Sequence, residues 1–538
     1  MLDLPEHKKS LVMQGVTSIP TYKLPPELLC LIFQYCAPPE TRSIAFSQVS
    51  RYWRRTALDC PQLWRTPLLK YPDLAAEMAV RAKGIPLRIR AHLGYYGPSN
   101  ATYLDTLEDI LKQSAVEYFE LDISYGVSQL AAGRLLDLLV LRSNTTLRHL
   151  SLHSSEFMSL YEIATPIHMR FPNLHQLHFN RCIIDLPWHA EWYDSLVVLQ
   201  IDFADGMREW NRRMTTEEVS GLLRRSRKLK RLSLGSTVNM GVRTDQSSPL
   251  HQFTEQICLP YLTSLELRDT PYHLLALFSL LEVPALTKLV VRMRDTVNLE
   301  KVADAHTALQ FIVDKIVSAP NTTTAIESLK FQISLHNQIF KATCHSGRSS
   351  ELQVSFYVLS DLVQDPQEIW MRVLNKFSLD KLDRFTIKVS QKSDIHLIRP
   401  LCDLLAAVPL ITKAVFIKLA YIPFIESLAS NYDSHFSAMD RLYIMSADLT
   451  AKNPVATDDQ QTTGLQRLAM ALRSLKTRGR PIAKVVLRDC TVDTPATDVF
   501  DMFDVEAEIV DEEVREHAHR EMCQKCKGGI FCPHIFSL

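Results

Sequence analysis

Glycine is scarce in this chain of 538 residues, which contains only 15 of them. Average glycine usage is about 7%, and phosphate-binding loops need several closely spaced glycines. The sequence contains no such loop, and neither a HExxH nor a G-x-S-x-G motif is present. We therefore expect that the protein is not an enzyme.

The chain also lacks an excess of one charge sign and a long apolar run. Its 60 Lys and Arg residues balance 60 Asp and Glu residues, which gives no general attraction to nucleic acid or membranes. The most apolar stretch, Leu274 to Leu286, is shorter than the roughly 18 residues that a membrane span requires. A signal-peptide pattern is missing, and 11 scattered cysteines do not indicate a secreted disulfide framework. We expect an intracellular protein in the cytoplasm, the nucleus or both.

A short segment near the amino terminus is apolar on nearly every side. It reads LPPELLCLIFQYC, from Leu24 to Cys36, and its two prolines suit a first helical turn. A second helix is predicted over Thr41 to Val49 and a third from Ser50 to Leu58, with Ser50 as the N-cap. A module of about 45 residues can bury few side chains by itself. The surplus must pack on the rest of the chain or on another molecule.

The order of residues in this segment resembles the F-box. The motif residues are Leu24-Pro25-x-Glu27-Leu28, Ile32-Phe33, Val49-Ser50-Arg51-x-Trp53-Arg54 and Leu63-Trp64. The F-box is a three-helix module that binds a Skp-type adaptor in cullin–RING ubiquitin ligases, and many members have Cys where this chain has Ser50. The resemblance implies packing roles for Val49 and Trp53. It also implies an adaptor-binding face that comprises Leu24, Pro25, Leu28, Ile32, Phe33 and Trp64.

A spacing of apolar residues recurs at unequal intervals along the remainder of the chain. Clear copies are Leu147-Leu150-Leu152, Leu174-Leu177-Phe179, Leu196-Leu199-Ile201, Leu229-Leu232-Leu234, Leu262-Leu265-Leu267 and Leu286-Leu289-Val291. The last two residues of each copy have strand spacing, and helix-prone segments lie between copies. The pattern resembles the leucine-rich repeat. Cys182 and Cys490 then fall at buried ladder positions and are not predicted to be reactive thiols.

The resemblance implies an α/β fold, in which a small three-helix F-box precedes an irregular leucine-rich-repeat-like solenoid with a parallel sheet on its concave face. Leu87 to Leu93 is predicted as the first strand, and LQVSFYVLS as an extra strand outside the repeat. The expected organisation is a leader (1–20), an F-box (21–68), a linker helix (69–84), a repeat-like substrate-binding domain (85–492) and an acidic, Cys- and His-containing tail (493–538).

The residues between the apolar strand positions would face solvent on the concave side. We expect a protein partner to bind there, although each residue taken singly could equally be solvated surface. The residues of the clear copies are His149, Ser151, His153, Gln176, His178, Asn180, Arg231, Ser233, Glu266 and Arg268.

Two further segments carry charge or metal-ligating residues. RRSRKLKR, from Arg224 to Arg231, could be a nuclear address or a phosphate contact, but a helix end with favourable cations followed by a strand is preferred. Nine acidic residues lie between Asp498 and Glu516. The tail that follows could supply a structural zinc site, with a flexible, reduced tail as the preferred alternative. The candidate ligands are Cys523, Cys526, Cys532 and His534, and His517 or His519 could substitute because the Cys532-x-His534 spacing is tight.

Taken together, these features predict the substrate-recognition subunit of an SCF-type cullin–RING ubiquitin ligase. The partners would be a Skp-type adaptor and a target protein, with no membrane, nucleic acid or cofactor. One alternative is a scaffold that binds the adaptor without delivering substrates. Another, which the neutral charge disfavours, is a zinc-dependent nucleic-acid-binding protein.

Overall fold

The computed structural model describes a large part of the chain. The described residues are 24–36, 42–94, 99–124, 129–143, 145–159, 171–183, 191–203, 214–236, 238–239, 256–293, 302–317, 326–334, 337–345, 351–359, 374–389, 398–406, 408, 410–429, 438–450, 462–479, 482–492, 495–502 and 508–511. Over these residues the protein is a mixed α/β chain with 13 α-helices, and it divides into two compact units between Gly241 and Val242.

The first unit begins with a small helical module. Its helices are α1 (Pro26–Cys36), α2 (Arg42–Val49) and α3 (Arg51–Leu58), followed by a 3-10 turn at Pro61–Leu63. Ser50 caps α3 as predicted, because its Oγ accepts a hydrogen bond of 3.1 Å from the backbone N–H of Trp53. The next helix, α4 (Pro72–Arg81), occupies the segment predicted to join the two parts of the chain.

Strands and helices alternate after this module. The elements are β1 (Leu87–Leu93), α5 (Ser99–Gln113), β2 (Val116–Ile123), α6 (Gln129–Ser143), β3 (His149–Ser159), β4 (Gln176–Ile183), β5 (Val198–Asp202), β6 (Met214–Thr215), α7 (Thr216–Arg225), β7 (Arg231–Gly235) and β8 (Val238–Asn239). Strands β1, β2, β3, β4, β5 and β7 form a parallel sheet in that order. The short strands β6 and β8 pair separately.

The sheet of the first unit buries the predicted apolar positions in register. One row contains Leu150, Leu177, Leu199 and Leu232, and the next contains Leu152, Phe179, Ile201 and Leu234. These residues are buried because alternate side chains of a strand point to the same face. The opposite face carries the intervening polar residues.

The second unit contains another set of alternating elements. They are β9 (Ile257–Cys258), β10 (Ser264–Asp269), α8 (Pro271–Leu280), β11 (Leu281–Glu282), β12 (Lys288–Met293), α9 (Val302–Val317), β13 (Ile326–Ser334), β14 (Asn337–His345), β15 (Glu351–Leu359), β16 (Arg384–Val389), α10 (Arg399–Ala406), β17 (Lys413–Lys418), α11 (Tyr421–Ala429), β18 (Arg441–Met445), α12 (Gly464–Thr477), β19 (Lys484–Arg488), α13 (Ala496–Met502) and β20 (Glu508–Asp511). None of the helices in the described ranges is both long and apolar enough for a membrane span.

The sheet of the second unit departs from the expected all-parallel arrangement at β14. Its strand order is β10-β12-β15-β14-β13-β16-β17-β18-β19-β20, and β14 runs antiparallel to both β13 and β15. Only two residues separate β13 from β14, and such a connection is too short for a parallel crossover. The predicted extra strand is β15, but the prediction missed the hairpin that precedes it.

Candidate interaction surfaces

Helix α1 has two apolar faces with opposite environments. Leu29 and Phe33, one turn apart, are buried at 1% and 0% exposure. The Phe33 ring stacks on Phe46 of α2 with ring centroids 4.5 Å apart, and it contacts Trp53 of α3 at 5.0 Å. These three rings form the centre of the helical module.

The segment after α3 completes this core. Trp64 is buried, and its indole Nε1 donates a hydrogen bond of 2.9 Å to the carbonyl oxygen of Ala57. The guanidinium of Arg81 lies 4.9 Å from the Trp64 ring centroid, which is within cation–π range. Burial, reinforced by Cys60, raises the pKa of Cys30 to about 12, so this thiol is neutral at pH 7.

The other face of α1 is an exposed apolar stripe, which we define as Leu28, Leu31, Ile32 and Tyr35. The exposed fractions are 48%, 48%, 39% and 89% respectively. Their spacing of i, i+3, i+4 and i+7 places them on one side of the helix. A soluble helix would normally present polar residues on this side. The stripe is therefore a candidate binding surface.

Several residues lie elsewhere than the resemblance implied. Phe33 and Trp64 were assigned to the adaptor-binding face, but both are buried in the module's own core. Val49 was assigned a packing role, but 60% of it is exposed at the end of α2. Trp53 does pack internally. For Phe33 the reason is helical periodicity, since it shares the face of Leu29 and not that of Leu28 and Ile32.

The structure adds Leu31 and Tyr35 to the proposed face. Leu24 is half-buried, with its carbonyl oxygen accepting a 2.6 Å hydrogen bond from the Tyr52 hydroxyl, and Pro25 is exposed beside it. The i, i+3, i+4, i+7 spacing from Leu28 was the sequence signal that could have identified Leu31 and Tyr35.

A second candidate surface is the polar face of the sheet in the first unit. Tyr118 and His149 lie in register on β2 and β3, and their rings stack with centroids 4.1 Å apart. His149 Nδ1 lies 2.8 Å from Gln176 Oε1, and Ser151 Oγ lies 2.7 Å from His153 Nε2. His149 and Ser151 are buried, contrary to the expectation of solvent exposure. The Tyr118 ring packs against His149, and the His153 imidazole lies against the Ser151 hydroxyl.

Charged side chains of opposite sign pair with each other on this polar face. Arg90 Nε lies 3.2 Å from Glu120 Oε2, which also accepts a 2.5 Å hydrogen bond from the Tyr118 hydroxyl. Burial, together with the charges of His149 and His153, lowers the pKa of His178 to about 4. His178 is therefore neutral at pH 7.

Of the remaining residues predicted to contact a partner, some belong to the first unit and some to the second. Gln176, Asn180, Arg231 and Ser233 lie on the same polar face as His149 and have at least partly exposed side chains. Glu266 and Arg268 lie on β10 of the second unit. Glu266 Oε1 is 2.8 Å from Arg292 Nε of β12.

The structure also shows where two predicted ladder cysteines and the basic segment RRSRKLKR lie. Cys182 is buried, which raises its pKa to about 12, and Cys490 is half-buried with its Sγ 3.4 Å from the Ile444 carbonyl oxygen. Both positions agree with packing roles.

The basic segment RRSRKLKR spans the end of α7, the buried Leu229 and the start of β7, as the preferred interpretation predicted. The candidate zinc ligands Cys523, Cys526, Cys532 and His534 lie outside the described residues.

Comparison with known proteins identifies the amino-terminal module but not the rest of the chain. No curated protein matches the sequence. A family model described as F-box-like matches residues 21–70. This range covers the three helices, their aromatic core and the exposed apolar stripe of α1. The chain therefore contains an F-box-like domain at residues 21–70.

Proposed function

We propose that this chain is the substrate-recognition subunit of an SCF-type cullin–RING ubiquitin ligase. The F-box-like domain would bind a Skp-type adaptor, and the α/β body would bind a target protein. The observation that carries this proposal is the exposed apolar stripe of α1 within the F-box-like domain. Exposed apolar clusters of this kind mark protein-binding surfaces because covering them releases ordered water.

The proposed role requires neither bond chemistry nor a cofactor. A subunit that holds the adaptor at one end and a target at the other raises the effective concentration of the target near the transferring enzyme. Such a contribution is one of proximity and orientation. It agrees with the absence of phosphate-binding and hydrolase motifs in the sequence.

We further propose that the body is related to leucine-rich-repeat proteins in its architecture. The support is the regular alternation of helices with parallel strands and the buried apolar rows formed by Leu150, Leu177, Leu199 and Leu232. In such arrays the outward side chains of neighbouring strands form one extended binding surface. The antiparallel hairpin of β13 and β14 would be an insertion into this pattern.

The double substitution Leu28→Asp with Ile32→Asp tests adaptor binding. Both side chains are exposed, so the helices should still fold, whereas two carboxylates in the stripe could not be buried against an apolar partner without a large desolvation cost. We expect loss of adaptor capture in a pull-down with purified proteins. A matched control is Leu130→Asp with Leu141→Asp, which changes two exposed leucines of α6 and should retain capture.

Circular dichroism of both double variants should match that of the unchanged chain. Capture that persists after Leu28→Asp with Ile32→Asp would contradict the proposed adaptor face. Target delivery is tested separately, by quantifying captured proteins with and without proteasome inhibition. An interactor set that inhibition leaves unchanged would favour a scaffold over a substrate receptor.

A further inference from the structure

Four basic residues lie in one row on the outward face of the second unit's sheet. Register places Arg384 of β16 opposite Lys413 of β17, Lys413 opposite Arg441 of β18, and Arg441 opposite Lys484 of β19. Adjacent strands are about 4.8 Å apart, so the four cations fall within about 14 Å of sheet. Like charges at directly opposed strand positions destabilise a sheet. We name Arg384, Lys413, Arg441 and Lys484 the basic row.

The basic row faces away from the core. Each of its members directly precedes a buried residue, namely Phe385, Ala414, Leu442 and Val485. Since successive strand residues point to opposite faces, the four cations share the outward face. Arg384 and Arg441 are exposed, and Lys413 and Lys484 are partly exposed.

An apolar row lies beside the basic row on the same face. It consists of Val415, Tyr443 and Val486, which are in register on β17, β18 and β19. The Lys413 ammonium lies 4.2 Å from the Tyr443 ring centroid and so links the two rows. Two residues further along the strands, Ile417 and Met445 are in register and flanked by Lys388 and Arg488.

Carboxylates are few among the described residues of these outward rows. Glu508 of β20 lies opposite Lys484 at the end of the basic row. Asp440 precedes its strand, with Oδ2 3.6 Å from Arg441 Nε, and Asp383 accepts a hydrogen bond from the Thr412 hydroxyl. The polar face of the first unit differs, because Glu120 there lies in the same row as Arg90 and pairs with it. Among these described residues the cations outnumber the carboxylates, so the outward rows of β16 to β19 form a net positive strip.

We propose that this face binds an acidic protein segment in which Asp or Glu alternates with apolar residues. In an extended segment, alternate side chains point to opposite sides, and equivalent side chains repeat about every 6.6 Å. A segment of five residues lying between the rows would direct three carboxylates to the basic row. Its two apolar side chains would contact Val415 and Tyr443, which are partly exposed, whereas Val486 is buried and closes this end of the apolar row. The inference rests on the proposed function in that this segment would belong to the target protein.

The same observations disfavour nucleic acid and phosphorylated segments. Binding of single-stranded nucleic acid uses aromatic faces on which bases stack, but Lys413 lies over the Tyr443 ring. Phosphate groups are bound best by guanidinium groups that converge on one point. In the basic row each cation occupies a separate strand, and lysines alternate with arginines. Single, evenly spaced carboxylates match this arrangement better.

Fluorescence anisotropy with a defined peptide tests the proposal. The probe is a fluorescein-labelled Gly-Glu-Val-Glu-Val-Glu-Gly peptide, titrated with the full-length chain at 50 and 300 mM NaCl. We expect saturable binding that weakens at the higher salt concentration, because ionic screening reduces charge attraction at a surface. Arg384→Glu with Arg441→Glu should weaken binding by about tenfold or more, since like-charge contacts oppose association.

The matched control is Arg399→Glu with Arg473→Glu, which makes the same charge change at exposed positions on helices α10 and α12. It should bind the probe as the unchanged chain does. Equal weakening in both double variants would show a general charge effect and overturn the proposal. So would absent probe binding, equal affinity for a Gly-Lys-Val-Lys-Val-Lys-Gly peptide, or preferential binding of the corresponding phosphoserine peptide or of an oligouridine.

Adaptor capture measured on the same proteins separates this inference from the proposed function. Arg384→Glu with Arg441→Glu should retain adaptor capture, and Leu28→Asp with Ile32→Asp should retain probe binding. If capture fails in the unchanged chain while the probe still binds, the proposed ligase role is wrong and the acidic-segment site stands. If capture succeeds and the probe does not bind, only the inference about the basic row is wrong.

Discussion

At the scale of single residues, neighbouring apolar side chains of α1 in the F-box-like domain have opposite environments. Leu29 and Phe33 are buried, whereas Leu28 and Ile32, each one position earlier, are exposed. An α-helix turns about 100° per residue, so residues adjacent in sequence lie on different faces. The same side-chain chemistry therefore stabilises the fold on one face and is available for binding on the other.

Phe33→Ala and Tyr35→Ala should separate these two roles. Removing the Phe33 ring leaves a cavity against Phe46 and Trp53, which should cost about 3–5 kcal/mol of local stability. Tyr35 is 89% exposed, so its substitution should change stability by less than about 0.5 kcal/mol. Hydrogen exchange of the amides in α1 to α3 of the full-length chain measures both effects. Equal loss of protection in the two variants would contradict the assigned burial.

At the scale of elements, the strands of the first unit and those of the second carry different arrangements of outward charge. Among the described residues of the first unit, Arg90, Glu120 and Tyr118 form a linked group. In the second unit, Arg384, Lys413, Arg441 and Lys484 accumulate in one row. The first arrangement stabilises the polar face internally, whereas the second suits a partner with opposite charge.

The imidazole of His178 should make the stability of the first unit depend on pH. Its pKa is lowered by burial from 6.5 to about 4, while the unfolded chain has a value of about 6.5. Between these two pH values the unfolded state binds more protons than the folded state. The contribution of the neutral His178 imidazole to the unfolding free energy is therefore complete above pH 6.5, and it falls as the pH decreases towards 4. The limiting slope is about 1.4 kcal/mol per pH unit.

The substitution His178→Gln removes this titration. We expect the difference in unfolding free energy between the unchanged chain and the variant to shrink as the pH is lowered from 7.5 to 5. Urea unfolding at several pH values measures the difference. His149, His153 and Glu120 also face this imidazole, and they remain in the variant, so their own titration largely cancels in the comparison. A difference that does not vary with pH would contradict the lowered pKa.

At the scale of the whole molecule, adaptor binding should raise thermal stability by mass action. A ligand that binds only the folded state at 100 times its dissociation constant adds about 2.7 kcal/mol. We expect the midpoint temperature of the unfolding transition that includes the F-box-like domain to rise when adaptor is added to the full-length chain. The Leu28→Asp, Ile32→Asp variant should show no such shift, and an unchanged shift in that variant would place the binding face elsewhere.

Several features of this protein could be predicted from local sequence patterns. The strand at Leu87–Leu93 and the N-cap at Ser50 have the predicted bounds, because strand alternation and capping depend on residues within a few positions of one another. The positions of Leu150, Leu177 and Leu199 in one buried row follow from the same spacing. Here the local pattern and the final fold agree.

What the sequence by itself determined was therefore the F-box-like module and the alternation of apolar strands with helices. Only the tertiary structure decided that Phe33 and Trp64 are buried, that His149 and Ser151 are covered, and that β14 runs antiparallel. It also brought the four cations of the basic row together from separate strands. The physical reason is that burial and register depend on which segments pack side by side, and the spacing within one segment does not specify its neighbours.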